Sequence, residues 1–141
     1  TANANVSAFA FDPASGRQIW ENSSIPLPDV SSAAADTGRM YIFSSTGTAS
    51  CLSLKDGSLL WEHEFDKGFY ASPVALADKI ILAVNMNGEM FFVRSGTDKF
   101  ELAGTVTLGE PVVATPAVTK EGVFIRSNDN IMKLKPRTAN K

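Results

Sequence analysis

Phe11-Asp12-Pro13-Ala14-Ser15-Gly16-Arg17-Gln18-Ile19-Trp20 is a turn set between apolar segments, and it recurs along the chain. Gly57-Ser58-Leu59-Leu60-Trp61 repeats the glycine-to-tryptophan spacing of four, and Gly96-Thr97-Asp98-Lys99-Phe100 repeats it with phenylalanine in the aromatic place. The aromatic positions stand 41 and 39 residues apart. A self-similar period of about 40 residues marks an array of identical supersecondary units, none of which can bury its apolar surface alone.

Outward from the first turn, Phe9 and Phe11 alternate with small residues, which is strand periodicity. Pro13 presets one backbone angle, Asp12 and Ser15 offer side-chain oxygens to nearby N–H groups, and Gly16 accepts a positive φ. Arg17 to Ser23 then returns as the second arm of an antiparallel hairpin. Four strands follow: a short inner one over Ser31 to Ala35, then Arg39 to Ser44, Thr48 to Leu54, and Ser58 to Phe65 carrying Trp61. The same order repeats with an inner strand from Ala71, then Lys79 to Val84, Glu89 to Val93 and Phe100 to Leu108. A third copy starts at Ala114 and stops after Ile131-Met132-Lys133-Leu134. No stretch sustains helical periodicity over ten residues, so the fold class is all-β. Short antiparallel strands in fours at this period describe the blades of a β-propeller.

Composition narrows the functional classes. The chain has 141 residues, 44% hydrophobic and 20% charged, which is enough to bury a sizeable core. A formal charge of −2 without long Lys or Arg runs lacks the electrostatic footprint of a nucleic-acid binder. No apolar run approaches the roughly 20 residues that span a bilayer. Cys51 is the single cysteine, so no internal disulfide can form, and it reads as a small buried strand residue.

Catalytic patterns are weak. Glu62, Glu64 and Asp66 alternate with Trp61, His63 and Phe65 along an outer strand, the pattern of a solvated face rather than a metal site. His63 is the only histidine and has no second ligand or nucleophile nearby in sequence. Asn128-Asp129-Asn130 lacks the glycine and glutamate of a calcium loop and reads as a polar turn. Lys133, Lys135, Arg137 and Lys141 form a basic, solvated tail. No residue is assigned a catalytic or metal-binding role.

The repeated turn resembles the quinoprotein-like repeat, named for dehydrogenases that carry pyrroloquinoline quinone (PQQ). Asp12, Ser15, Gly16 and Trp20 match its pattern fully; Gly57 and Trp61 match with Ser53 in place of the family's Asp; Gly96 and Phe100 are what remains in the third copy. The resemblance implies a propeller of roughly six to eight blades. Against that count the chain holds two full blades (29–68 and 69–110), a two-strand remnant (6–28) and a partial last blade (111–136). We expect it to be the C-terminal segment of a longer propeller, with open ends that meet missing N-terminal blades or associate with another copy.

The resemblance further implies an extracytoplasmic bacterial protein. In quinoprotein dehydrogenases a Glu, an Asn, an Asp and an Arg hold PQQ and Ca²⁺ near the axis, often beside a vicinal disulfide that one cysteine cannot make. The expected function is therefore a non-catalytic, rigid binding or scaffold module for a protein or glycan, without cofactor, its ligand met by the loops ahead of the inner strands. Phe69, Tyr70 and Glu110 are the candidate binding-loop residues. The alternative is part of a PQQ-dependent oxidoreductase whose cofactor ligands lie mostly in other blades.

Overall fold

A computed structural model of the chain describes residues 6–135. The terminal basic residues Arg137 and Lys141, and the last position of the final blade, lie outside the described residues. The described residues form thirteen strands and no helix. β1 (Ala8–Phe11) and β2 (Gln18–Asn22) make a two-stranded sheet. β3 (Ala34–Ala35), β4 (Arg39–Phe43), β5 (Thr48–Ser53) and β6 (Leu59–Glu64) make the second sheet in sequential order. β7 (Val74–Leu76), β8 (Ile80–Val84), β9 (Glu89–Arg94) and β10 (Leu102–Thr107) make the third. β11 (Ala117–Thr119), β12 (Gly122–Arg126) and β13 (Ile131–Leu134) complete a three-stranded fourth. Every pairing is antiparallel, as the all-β propeller reading requires.

The middle strands of the second and third sheets are buried on both faces because each of these two sheets is sandwiched between two others. Successive side chains of a strand point to opposite sides. In β4, Tyr41 and Phe43 enter the core shared with the third sheet, while Ile42 enters the core shared with the first. In β8, Ile81 and Ala83 face the second sheet, whereas Leu82 and Val84 face the fourth. The outer faces of the end sheets have no such cover: Phe9, Phe11 and Ile19 at one end and Ile131 at the other are exposed.

The inner strand of the second sheet is shorter than its sequence suggests. Ser31 and Ser32 leave the ladder, since Ser31 Oγ donates to the Phe43 carbonyl at 2.9 Å and the Ser32 amide donates to Ser72 Oγ at 2.9 Å in the next sheet. The Ser72 amide in turn donates to Thr115 Oγ1 at 3.0 Å. Equivalent residues of three successive sheets are thus joined in series along the inner strands.

Trp20 and Gly57 hold the first two sheets together. The indole lies flat against Gly57, where an added Cβ would come within 2.5 Å of Trp20 Cε3, and Gly57 has φ of 72°. Trp20 Nε1 donates to the Leu54 carbonyl at 2.9 Å, and Asn22 Nδ2 donates to the Gly57 carbonyl at 2.7 Å. The next interface does not copy this arrangement. Gly96 has no indole above it; its amide donates to the Tyr41 hydroxyl at 2.9 Å, and buried Trp61 Nε1 has no partner.

Phe100 also departs from the repeat. The turn between β9 and β10 is longer than that between β5 and β6, so Phe100 falls in the turn instead of in the outer strand. It folds back onto the second sheet, stacked on His63 at 3.7 Å and edge-on to Trp61 at 5.5 Å.

The turns are closed by side chains. Asp12 Oδ1 accepts from the amides of Ala14 and Ser15, which hold its carboxyl below the usual carboxylate range. That contribution to the turn is present at neutral pH and is lost as pH falls through the lowered value. In the second copy Ser53 Oγ takes a weaker bond from the Lys55 amide at 3.3 Å, and Asp56 is held low by the hydroxyl and amide of Ser58.

Gly57→Ala should destabilise the protein by about 1–3 kcal/mol, the overpacking range. Gly16→Ala has the same backbone strain with nothing within 4 Å, and isolates the steric part. In a Trp20→Ala background the excess cost of Gly57→Ala over Gly16→Ala should vanish. Urea titrations of the single and double variants measure this, and a full excess persisting without the indole would refute the contact. Trp61→Ala should cost roughly 3–5 kcal/mol by core truncation, read in the same titrations.

Candidate functional site

One end of the strands carries the connections between sheets together with the β4–β5, β8–β9 and β12–β13 turns. These loops are braced against one another. Asp29 accepts a hydrogen bond from Ser45 Oγ on the β4–β5 turn. The Phe69 amide donates to the Ser44 carbonyl at 3.0 Å, and the Met86 amide donates to the Gly68 carbonyl at 2.9 Å. Gly68 lies so close to the Ser45 carbonyl that any side chain there would collide with it. The Asn128 amide donates to the Pro111 carbonyl at 3.2 Å, tying the last connection to the last turn.

Each turn is closed by a buried polar side chain at the end of its first strand. Ser44 Oγ accepts from the Thr48 amide, Asn85 Oδ1 from the amides of Asn87 and Glu89, and Ser127 Oγ from the Asn130 amide. Burial is tolerated because these groups are satisfied. Asn128-Asp129-Asn130 is accordingly a capped turn.

The three candidate binding-loop residues have three different environments. Phe69 is wholly buried, packed against Phe43 with ring centroids at 5.0 Å and against Phe65 at 5.2 Å. Its place in a binding loop is corrected: the connection turns its ring into the core between the second and third sheets. Glu110 has both carboxylate oxygens engaged, by Ser127 Oγ and by Asn130 Nδ2, and so braces the last turn. Tyr70 alone is presented outward, at 38% exposure.

Tyr70 has counterparts that sequence reading passed over. Val30 and Val113 stand at the same offsets from Tyr70 as Ser32 and Thr115 stand from Ser72, and both valines are exposed. The hydrogen-bonded series Ser32, Ser72, Thr115 therefore sets three apolar side chains, one per sheet, along the same end of the inner strands. Their signal was the shared offset from the hydroxyl residues; two valines in an all-β chain read as ordinary strand residues.

The other candidates stay apart. Glu62 and Glu64 are exposed on β6, and Glu64 accepts from Thr48 Oγ1 at 2.9 Å. His63 is half-buried between Phe100 and Phe65. Among the described residues no group of three or more His, Cys, Asp or Glu side chains gathers to hold a metal ion. Cys51 is fully buried in the core between the second and third sheets, and burial pushes its thiol pKa up to about 12. Burial likewise raises the Tyr41 phenol, whose hydroxyl donates to Asp36 at 3.0 Å.

Radially stacked antiparallel sheets, the glycine-to-tryptophan turns and the sheet-to-sheet series of hydroxyls define the chain as β-propeller blades of the PQQ-like repeat. It belongs to the family described as outer membrane protein assembly factor BamB, whose PQQ-repeat family model matches residues 3–103. The crystal structure of BamB from Moraxella catarrhalis matches with a TM-score of 0.71 at 20% sequence identity, over 88% of this chain and 38% of that one. The chain thus spans well under half the length of that propeller. No curated protein matches the sequence.

Cys51 should resist aromatic disulfide reagents at pH 8 in the folded protein and react at once in denaturant, since the thiolate is the reactive form. Rapid labelling without denaturant would mean that the core between the second and third sheets opens.

Proposed function

We propose that these blades are a non-catalytic binding scaffold in the assembly of outer membrane proteins, working outside the cytoplasm at or near the outer membrane. Membership of the assembly-factor family over residues 3–103 carries this reading. The loop end of the blades supplies a surface suited to it: Val30, Tyr70 and Val113 are exposed on connections held rigid by bonds between loops. Binding groups fixed on a rigid frame lose little entropy on association. A protein partner suits this surface better than a glycan, because two of its three side chains are aliphatic and offer no hydrogen bond to a sugar hydroxyl.

The quinoprotein alternative draws no support from these blades. A hard cation needs six to eight oxygens from convergent positions, and the acidic side chains here are dispersed along strands or engaged in closing turns.

The reading is tested by placing a photo-crosslinking residue at position 70 of the complete protein in cells and identifying what it captures. Adducts with components of the outer membrane assembly machinery are expected, and their absence alongside adducts to unrelated proteins would overturn the assignment. Tyr70→Ser should weaken binding to a captured partner about tenfold or more, in the range of aromatic interface residues. Its thermal stability should stay near that of the parent, since surface substitutions fall within about 0.5 kcal/mol.

A further inference from the structure

The opposite end of the strands carries a cleft that the scaffold function does not use. It lies between the third and fourth sheets, has a volume of about 450 Å³, and is walled by Leu76, Ile80, Phe92, Val123 and Leu134 with Met90 among its lining residues. Met90 is fully buried, whereas the other five side chains are partly exposed. The matching space between the second and third sheets is a different chemical object. There Asp36, Arg39, Lys79 and Ser95 contribute to the lining, and Arg39 is paired with Asp98 at 2.6 Å. The repeat itself therefore does not dictate an apolar cleft at this place.

The rim of the apolar cleft is charged. Lys120 and Lys135 line it and enter no ion pair among the described residues, and Asp78 is the one acid in the lining. Asp78 and Lys79 form the tip of the β7–β8 hairpin with φ of 59° and 57°, a conformation uncommon outside glycine. The equivalent hairpin of the second sheet has Gly38 at its positive-φ position.

An apolar trough lined by two lysines that enter no ion pair among the described residues complements a molecule with a hydrocarbon chain and an anionic head. We propose that this cleft binds a single-chain anionic amphiphile, such as a fatty-acid carboxylate. The chain lies along Leu76, Phe92 and Val123 toward Met90, and the head meets Lys120 and Lys135. Neutral chains lose the head contact, and small anions lose the apolar one. The site is independent of the loop end, so either assignment can fail without the other.

The test is a titration of the ¹⁵N-labelled 141-residue chain with dodecanoate below its micelle concentration, followed by amide NMR. Saturable shifts confined to the lining segments, Leu76–Ile80, Met90–Phe92, Val118–Val123 and Leu134–Lys135, are expected. Decanoate, shorter by two methylenes, should bind about tenfold more weakly if both are buried. The double variant Lys120→Glu and Lys135→Glu, both at exposed positions, should lose at least fivefold for dodecanoate and nothing for dodecan-1-ol. Val118→Asp on the cleft wall should weaken both. Tyr70→Ser should leave all of these values unchanged.

Unsaturable shifts centred on Phe9, Phe11 and Ile131 would reveal uptake on the open end faces and overturn the proposal. So would equal binding of dodecanoate and dodecan-1-ol, or a capped Leu-Val-Leu peptide that binds the cleft more tightly than dodecanoate.

Discussion

An indole lying flat on a glycine is the contact from which the rest of the arrangement follows. Sheets can stack radially only if each offers the next a surface without gaps, and Trp20 covers the turn of the second sheet because Gly57 has no side chain to hold it off. Two hydrogen bonds then fix the orientation, one from the indole and one from Asn22. With the turn anchored, Ile42 and Leu52 close on Trp20 as a compact core, and the opposite sides of β4 and β5 are left facing the third sheet. The second interface is built by other means. Tyr41 supplies the hydroxyl that catches Gly96, and Phe100 folds back to fill space beside Trp61.

Much of this was legible from short-range chemistry. The hairpins, the positive-φ turns and the alternation of the strands are local properties, and the glycine-to-tryptophan spacing marked the repeat. Phe100 was misplaced because spacing counts residues and takes no account of how many a turn absorbs. Phe69 was misplaced because an aromatic residue in a connection looks available, whereas this connection passes directly over the core. The loop-end valines and the second cleft were hidden for a different reason. Their character depends on which side chains two neighbouring sheets bring together, and no single blade contains that information.

Function divides along the same line. The family is described as outer membrane protein assembly factor BamB, and the blades keep one loop surface rigid. Glu110, Ser127, Asn85 and Ser44 are polar groups committed to holding loops in place. Their neighbours Val30, Tyr70 and Val113 gain fixed positions from that bracing without contributing to it. Bracing groups and exposed groups are thus separate sets of side chains, which lets the exposed set change with little effect on the fold.

The alternating burial of β4 has a consequence for errors of alignment. In a two-layer protein, slipping a strand by one residue exchanges a core face with a solvent face. Here both faces of the strand are cores, so the same slip would push Tyr41 and Phe43 into the space shaped for Ile42 while leaving Ile42 in a space shaped for two aromatic rings. One partition serves two rooms, and it cannot be moved to suit either. A deletion in β4 should therefore damage two interfaces at once, and an improvement in one must be matched across a single thickness of backbone by the other.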